Sequence, residues 1–289
     1  MGKVLVTGAG GYIGRYVVDR LLEKGLEVVA ADIRTDHINP AAERVSVDIF
    51  SGEPQIYQQL GSPDIMIHMA WLDGFVHNSP RHIEYLPHHY TFLKNMLAGG
   101  LPHFSVMGTM HEIGYYEGAV TEKTPTNPLS LYGIAKNTLR QICGLLQAEY
   151  PKAIIQWLRA YYIYGDDSLN HSIFAKIIAA DEEGKATFPL NSGKNLYDFI
   201  EVKELARQIA AAAVQGEITG VINCCTGRPV SLGEQVERFI AQHHLSIRPE
   251  YGAFPDRPYD SPGIWGDPEK IQAIMSRELE ATPLSRDIS

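Results

Sequence analysis

The sequence predicts an α/β protein whose parallel sheet is covered by helices on both faces. Short apolar, β-branched segments recur through the first half of the chain, and stretches with helical periodicity separate them. Strands that are apolar along their whole length are buried on both sides, and intervening helices allow such strands to run parallel. The predicted strands are Lys3 to Thr7, Glu27 to Ala31, Ile65 to Met69, Phe104 to Met107 and Ile154 to Leu158.

Two long helices are predicted between or after these strands. The first runs from Tyr12 to Lys24 and is closed by Gly25. The second runs from Tyr132 to Glu149 and ends just before Pro151. A glycine directly after a helix, or a proline soon beyond it, is an ordinary stop signal, so both boundaries have a physical reason.

Composition narrows the classes of function. The 289 residues carry a formal net charge of −9, so a surface that binds nucleic acid through its phosphates is not expected. Three cysteines make no disulfide framework, which is typical of a reducing compartment. We expect no signal peptide, and the apolar segments are far shorter than the roughly 20 residues that span a bilayer. These features predict a cytoplasmic protein without nucleic-acid or membrane partners.

A glycine-rich segment follows the first strand. Gly8, Gly11 and Gly14 are spaced three residues apart, with Tyr12 and Ile13 between the last two, and the first helix follows. In such a loop one glycine allows a tight turn, another lets the backbone approach a pyrophosphate, and a third lets the helix pack on the strand. The helix N-terminus then faces the phosphates. The pattern predicts a Rossmann-type, doubly wound sheet that binds a dinucleotide.

Two acidic residues follow the next apolar segments. Asp32 closes the second strand, where a carboxylate accepts hydrogen bonds from the adenosine ribose and repels a 2′-phosphate, which favours NAD(H). The alternative is a helix cap or a loop charge. Arg34, two residues later, is suited to a 2′-phosphate, so NADP(H) stays an alternative cofactor. Asp48 is placed to contact the adenine, or else is a solvated loop acid.

The chain is predicted to form two unequal lobes. Residues 1–165 form the dinucleotide-binding domain, and residues 197–225 return to it, because Asp198 to Ile200 and Val221 to Asn223 resemble sheet strands. Residues 166–196 and 226–289, which are richer in turns, form a smaller, interleaved C-terminal substrate lobe.

Tyr132 and Lys136 lie four residues apart and therefore on one face of the second long helix. A lysine ammonium near a phenol lowers the pKa of the phenol, which then exchanges a proton with an alcohol or a ketone. The spacing alone is common and mostly structural. Together with the glycine loop it predicts hydride-transfer chemistry.

With these motifs in place, the chain resembles the extended short-chain dehydrogenases/reductases of the NAD-dependent epimerase/dehydratase type, most of which act on nucleotide-linked sugars. The resemblance covers nearly the whole length and is carried by an ordered series of motifs. These are Thr7 to Gly14, Asp32, Asp48, His68 to Ala70, Ser105 to Gly114, Pro128 to Lys136, Leu158 to Gly165, Asp198 to Ile200, Cys225 to Pro229, Arg257-Pro258 and Trp265 to Asp267.

The resemblance implies a role for each matching residue. Thr109, five residues before Gly114, would bind the substrate oxygen, although a surface threonine at a strand end is the alternative. Tyr132 would be the acid/base, and Lys136 would tune it and hold the nicotinamide ribose. Arg257 would pair with the nucleotide diphosphate, or else is an exposed loop arginine. The implied cofactor contacts are Gly8, Gly11, Tyr12, Ile13, Gly14, Asp32, Asp48, Ala70 and Lys136.

Several positions depart from the family pattern. Dehydratases carry an Asp-Glu pair where this chain has Met110 and His111, which disfavours elimination of water. Glu112 would point to the opposite side if the segment were extended. His111 and His171 are candidate substrate contacts, either as a pair that exchanges protons beside a ketone or, more simply, as hydrogen-bonding or surface histidines.

Three further departures affect substrate recognition and metal binding. Tyr162 and Tyr197 stand where the family commonly has asparagine and arginine, and His89 replaces another asparagine. We predict no metal site, because the adjacent His88 and His89 point about 100° apart on a helix.

The function predicted first is the NAD(P)H-dependent reduction of a 4-keto sugar nucleotide, for example a dTDP-4-keto-6-deoxyhexose. The alternative is an NAD-dependent nucleotide-sugar 4-epimerase. Two further alternatives are the reduction of a non-sugar carbonyl and a non-catalytic sensor or scaffold. The retained Tyr132 and Lys136 argue against the second. The family also implies a homodimer through a four-helix bundle of Leu131 to Ala148 and about Ile83 to Leu97.

Overall fold

The computed structural model describes residues 2–165 and 172–281. In chain order its strands are β1 (Lys3–Thr7), β2 (Glu27–Ala31), β3 (Glu43–Val45), β4 (Ile65–His68), β5 (His103–Thr109), β6 (Gly118–Val120), β7 (Ile154–Ala160), β8 (Tyr162–Tyr164), β9 (Thr187–Pro189), β10 (Leu196–Tyr197), β11 (Phe199–Glu201), β12 (Gly220–Cys224), β13 (Val230–Ser231), β14 (Arg248–Glu250) and β15 (Gly263–Gly266).

The helices of the described residues lie mostly between these strands. They are α1 (Gly14–Glu23), α2 (Ile56–Gln59), α3 (Arg81–Glu84), α4 (Leu86–Gly99), α5 (Leu131–Glu149), α6 (Ile173–Glu182), α7 (Val202–Ala213), α8 (Leu232–Gln242) and α9 (Glu269–Ala281). A 3₁₀ helix spans Met110–Glu112. Within the described ranges, none of the helices combines the length and the apolar character that a membrane span requires.

Seven strands form one parallel sheet in the order β12-β7-β5-β4-β1-β2-β3. The chain builds outward from β1 to β3, then crosses to the other side of β1 and continues with β4. This reversal is the switch point of a doubly wound sheet, where ligands bind at the carboxyl ends of the strands. The predicted fold class is confirmed. Strand β5 is longer than predicted because Gly108 and Thr109 still pair with β7, opposite Arg159 and Ala160.

Helices cover both faces of this sheet. Val4 and Val6 of β1 face a core shared with α1, α7 and α9, and Leu5 faces a second core shared with α2, α4 and α5. The alternation follows from the two-residue period of a strand, which sends successive side chains to opposite faces. Helix α1 begins at Gly14, two residues later than predicted, because the glycine loop occupies the positions before it.

The second lobe is built from smaller sheets. Strands β13, β10, β15 and β6 form one of them, β11 pairs with β8, and β14 pairs with β9. Of residues 197–225, α7 and β12 pack with the large sheet, whereas Phe199–Glu201 pairs with β8 outside it. The strand predicted for Asp198 to Ile200 is present as Phe199–Glu201, and it pairs with β8 and not with the large sheet. Strand β6, from the first half of the chain, lies in the second lobe, where it pairs with β15. The predicted division of the chain into two domains stays a prediction.

Asp198 joins strands and loops of the second lobe. Its side chain is fully buried and accepts hydrogen bonds from the backbone N–H groups of Thr226, Gly227 and Gly266, at 2.8, 2.9 and 3.2 Å. The Thr226 hydroxyl donates a further bond at 2.6 Å. A buried carboxylate is costly unless it is hydrogen-bonded, and these donors satisfy it. Asp198 therefore joins the segment before β11 to the loop after β12 and to the end of β15.

The buried carboxylate of Glu112 fixes the end of β5. Residues 110–112 form a 3₁₀ turn, so Glu112 folds back and accepts the N–H of Thr109 at 2.7 Å. The same carboxylate accepts the Trp157 indole N–H at 2.8 Å and pairs with Arg159 at 3.1 Å. The prediction that Glu112 points away from Thr109 is wrong because it assumed an extended segment, whereas a 3₁₀ turn places residues three apart over one another.

We expect Glu112→Gln to destabilise the protein by about 3–5 kcal/mol, because it leaves the Arg159 guanidinium buried without its counter-charge. The side chains of Glu112 and Arg159 are 0% and 1% exposed, so solvent does not compensate. Urea denaturation at pH 7 measures the change. Glu217→Gln, which removes an exposed ion pair with Arg277, is the control and should change stability little. Similar losses in both variants would contradict this account.

Candidate active site

The glycine loop between β1 and α1 brings three backbone segments together. Gly8 has a φ of +70°, and a Cβ there would lie 2.6 Å from the backbone nitrogen of Ala70. A Cβ on Gly14 would lie 2.2 Å from the Gly8 carbonyl oxygen, and one on Gly11 would lie 3.2 Å from it. Contacts under 3 Å leave no room for a side chain at Gly8 or Gly14. Gly10, which the spacing analysis did not single out, is equally confined by the Arg34 carbonyl, at 2.5 Å.

Asp32 lies beside this loop and Asp48 lies further out. The half-buried Asp32 carboxylate accepts the N–H of Gly10 at 2.9 Å and that of Arg34 at 3.1 Å. Arg34 is itself exposed. Asp48 is exposed after β3, and its carboxylate accepts the N–H of Phe50 at 2.9 Å. Asp32 therefore lies at the glycine loop, while its contact with the adenosine ribose and the adenine contact of Asp48 stay predictions.

Tyr12 and Ile13 sit at the start of α1. Ile13 occupies the N-cap position, and no side chain caps this helix terminus. The first N–H groups of a helix have no partner within the helix, so such a terminus suits an anionic ligand. The Tyr12 hydroxyl donates to the carbonyl of Gly165, which ties the loop to the chain that follows β8.

Thr109, Tyr132 and Lys136 meet where β5 and α5 come together. Burial raises the pKa of the Tyr132 phenol to about 12, although the neighbouring Thr109 side chain lowers it. The Lys136 ammonium was expected to lower this pKa. Instead Lys136 Nζ donates to the carbonyl of Met107 at 2.7 Å and lies 5.9 Å from the centroid of the Tyr132 ring.

Burial also determines the pKa of Lys136. Its side chain is buried against β5, which lowers its pKa to about 7, while the negative charge of Glu112 and the Cys143 thiol oppose the shift. An ammonium in a low-dielectric site loses its hydration, so the neutral amine is favoured. The lysine therefore changes its protonation near neutral pH.

The loop that follows β4 holds the start of α5 in place. The N–H of Tyr132 donates to the carbonyl of His77 at 2.8 Å, and the N–H of Leu131 donates to the Asn78 side chain at 3.2 Å. Ser130, the N-cap, accepts the N–H of Gly133 at 3.1 Å. Three donors of the helix terminus are thus satisfied, which fixes the backbone that carries Tyr132.

Aromatic rings surround the Tyr132 phenol. His77 stacks on it with ring centroids 5.5 Å apart, and His82 and Trp71 lie at 5.3 and 6.1 Å. His111 lies 5.8 Å from Tyr132 and 4.3 Å from His77, and burial lowers its pKa to about 4. The histidine that His111 meets is therefore His77. His171, its predicted partner, lies outside the described residues.

Sequence reasoning missed Trp71, His77 and His82. One signal was available, because Trp71 and His77 lie in the stretch of more than ten residues between β4 and α3 that has no strand or long helix, and His82 lies in the short α3 that follows it. Such long connections in compact domains are often functional. Their approach to Tyr132 depends on tertiary packing, which the spacing of the motifs does not encode.

Two neutral histidines lie beneath the glycine loop. The Thr7 hydroxyl is 2.8 Å from His68 Nδ1, and His68 Nε2 is 2.8 Å from His89 Nδ1. The backbone N–H groups of Met69 and Ala70 donate to the Thr7 oxygen, so the Thr7 proton is directed at His68. His68 therefore donates through Nε2 to His89. Burial lowers the pKa of His68 to about 3 and that of His89 well below its usual value.

The second lobe brings together the two tyrosines that depart from the family pattern. The ring centroids of Tyr162 and Tyr197 are 4.2 Å apart. Burial raises the pKa of Tyr197 to about 12, while the positive charge of Arg257 lowers it. Arg257 is exposed in the loop before Asp260, whose N–H donates to its carbonyl. Its diphosphate contact stays a prediction.

The fold and the arrangement of these residues define the class. A doubly wound parallel sheet, a crowded glycine loop after β1, and a threonine, tyrosine and lysine at the junction of β5 and α5 are those of an extended short-chain dehydrogenase/reductase. The chain belongs to the NAD-dependent epimerase/dehydratase family, whose model matches residues 4–225.

Two proteins of known activity and one solved structure are similar to this chain. A dTDP-6-deoxy-L-talose 4-dehydrogenase (NAD(+)) from Aggregatibacter actinomycetemcomitans is 45% identical over 270 residues, covering 91% of this chain and 99% of that protein. A GDP-6-deoxy-D-talose 4-dehydrogenase from the same organism is 23% identical over 298 residues, covering 97% and 93%. The solved UDP-glucose 4-epimerase of Thermotoga maritima has the same fold, with a TM-score of 0.81, 22% identity and coverage of 94% and 91%.

We expect the free energy of unfolding to fall less steeply with decreasing pH in His89→Gln than in the unmodified protein. Unfolded histidine binds a proton near pH 6.5, whereas folded His89 stays neutral well below that pH. The unfolded state therefore binds more protons as the pH falls, and the free energy of unfolding decreases. Removing His89 should reduce this slope by up to about 1.4 kcal/mol per pH unit between pH 5.5 and 4.

Urea denaturation at several pH values measures the slope. His88→Gln is the matched control, since His88 is the preceding residue of α4 and is exposed. If both variants have the same slope as the unmodified protein, His89 is not held neutral as described.

Proposed function

We propose that this chain interconverts a hydroxyl and a ketone at C4 of a dTDP-linked 6-deoxyhexose, with NAD(H) as the hydride partner. The observation that carries the proposal is the position of Tyr132 beside Thr109, whose hydroxyl lowers the pKa of the phenol, and near the buried Lys136, at the carboxyl end of β5. The 45% identity to a dTDP-6-deoxy-L-talose 4-dehydrogenase (NAD(+)) supports the choice of sugar nucleotide and of the C4 position.

The residues of the glycine loop fit a dinucleotide. A side chain at Gly8 or Gly14 would fill the space against which a pyrophosphate packs, and the start of α1 has no side-chain cap. Gly8, Gly11, Tyr12, Ile13 and Gly14 would hold the phosphates. Asp32 and Asp48 would contact the adenosine, and Ala70 and Lys136 the nicotinamide ribose. Bound NAD(H) supplies the hydride acceptor or donor.

Tyr132 would move the proton that accompanies the hydride. In the direction of oxidation the Tyr132 phenolate would take the proton of the C4 hydroxyl, and in the direction of reduction the phenol would return a proton to the C4 oxygen. Thr109 would hold that oxygen, since its side chain lies beside the Tyr132 phenol. An ammonium on Lys136 beside the developing phenolate would stabilise its charge.

The residues around Tyr132 favour simple oxidation and reduction over elimination of water. The positions after Thr109 hold the buried Met110 and the half-buried His111, and neither is a carboxylate. The acid that follows them, Glu112, is already paired with Arg159. His111, together with His171 and Arg257, would contact the sugar and the diphosphate of the substrate.

The chain is also proposed to form a homodimer. Apolar side chains are exposed on α3, α4 and α5, where the family resemblance implies a four-helix interface. They are Ile83, Tyr90, Ile134 and Leu145, and Leu145 is 73% exposed. Burying such side chains against a second copy would be favourable.

We expect Tyr132→Phe to lower turnover of dTDP-6-deoxy-L-talose or its 4-keto form by at least about 100-fold, because the proton at the C4 oxygen loses its carrier. NAD binding, measured by calorimetry, should be nearly unchanged, since the phenol hydroxyl is not among the phosphate contacts. NADH absorbance follows the turnover.

Tyr57→Phe removes a hydroxyl that donates to the Pro63 carbonyl, away from the residues assigned to the site and to the dimer, and is the control with expected normal turnover. Near-normal turnover of Tyr132→Phe would contradict the proposed mechanism. Accumulation of the C4 epimer without net formation or loss of NADH would instead assign the chain as a 4-epimerase.

A further inference from the structure

Trp71, directly after the Ala70 that packs on the glycine loop, occupies the space beside Lys136. Lys136 Nζ lies 3.8 Å from the centroid of the indole ring. At this distance the ammonium contacts the electron-rich face of tryptophan, the aromatic side chain that binds cations best. Within the described residues, the only hydrogen bond that Lys136 Nζ makes is to the Met107 carbonyl, at 2.7 Å. The indole face and this carbonyl together define the position of the ammonium.

Two histidines hold the indole from different sides. The Trp71 N–H donates to Nδ1 of His82 at 3.0 Å, and Nε2 of His82 faces the carbonyl of Val76 at 3.0 Å. Since a carbonyl only accepts, His82 is the neutral form with its proton on Nε2. His89 stacks on the indole with centroids 4.4 Å apart and an interplanar angle of 21°. His89 in turn is bonded to His68, and His68 to Thr7.

We propose that Trp71 is the positioning residue for Lys136: its indole face holds the ammonium beside Tyr132, and the neutral His82 and His89 keep the indole in place. The inference rests on the proposed function only for its kinetic consequence. A positioned ammonium reaches the reacting phenol and the ribose without reorganisation, which is how a preorganised charge accelerates a reaction.

The contact also opposes the effect of burial on Lys136. Desolvation favours the neutral amine, and an aromatic face is one of the few apolar surfaces that stabilises the charged form. The other groups that act on this lysine come from different elements: Glu112 in the 3₁₀ helix, Cys143 in α5, His68 in β4 and His89 in α4. Glu112 and Cys143 favour the ammonium, whereas a protonated His68 or His89 would disfavour it.

A fluorescence titration without cofactor or substrate tests the contact itself. The emission of the wild-type protein, which contains three tryptophans, is followed between pH 5.5 and 9 and compared with that of Lys136→Met and Trp71→Phe. We expect the wild type to show a transition near pH 7, where Lys136 loses its proton, and both variants to lack it. A transition caused by His82 or His89 would persist in Lys136→Met, which keeps Trp71 and both histidines.

Two results overturn the proposal: a wild-type emission that does not change across this range, or a transition that Lys136→Met retains. Lys136→Gln replaces Lys136→Met if the latter does not fold, as judged by circular dichroism. The titration needs no turnover, so its outcome stands whether or not the substrate class proposed above is correct.

Kinetics with dTDP-6-deoxy-L-talose and NAD then test the consequence. Trp71→Leu removes the aromatic face and should lower kcat roughly tenfold while leaving the KM of the sugar nucleotide within about twofold. It should also move the pH at which Lys136 titrates in the kcat profile to a lower value, and Trp71→Phe should restore part of both effects. A Trp71→Leu profile that coincides with the wild type would overturn the positioning role. A wild type without turnover would refute the proposed function alone.

Discussion

The candidate site depends on the burial of one carboxylate. Glu112 lies at the point where β5 ends and receives hydrogen bonds from the Thr109 backbone, the Trp157 indole and the Arg159 guanidinium. These donors come from two neighbouring strands, so the carboxylate locks the end of β5 against β7. The 3₁₀ turn Met110–Glu112, directly after β5, places the His111 carbonyl against the start of α5. A Cβ on Gly133 would lie 2.4 Å from this carbonyl. The position of Tyr132 relative to Thr109 follows from this contact.

Burial then sets the chemistry of the groups that the carboxylate positions. The pKa of Tyr132 is raised to about 12 and that of Lys136 is lowered to about 7, in both cases chiefly by desolvation. Both shifts favour the neutral form of the side chain. The Lys136 amine is therefore close to exchanging a proton at neutral pH, whereas the Tyr132 phenol stays protonated there and is suited to donate a proton to a ketone oxygen. His68 and His89 stay neutral for the same reason, and so add no competing positive charge beside Lys136.

Local patterns were enough to predict the large sheet, the glycine loop and the pair of Tyr132 and Lys136. Each of these depends on residues that are close in sequence, such as the spacing of Gly8 and Gly14. The position of Glu112 was mispredicted because a 3₁₀ turn and an extended segment fit the same short sequence. Trp71 and His77 were missed because they reach Tyr132 only when the loop that follows β4 packs on the start of α5, more than 50 residues later in the sequence. Ring stacking between distant segments leaves no periodic signal in the sequence.

Transfer of an isotopic label tests directly whether the protein moves a hydride between NADH and C4 of the sugar nucleotide. The purified protein is incubated with dTDP-4-keto-6-deoxyhexose and NADH that carries deuterium at the transferable C4 position of the nicotinamide, and the sugar nucleotide is examined by mass spectrometry and NMR. We expect a reduced product with a single deuterium on C4 of the sugar and one NADH consumed for each product formed. A product without deuterium, or unchanged NADH with an altered sugar, would contradict hydride transfer between NADH and C4.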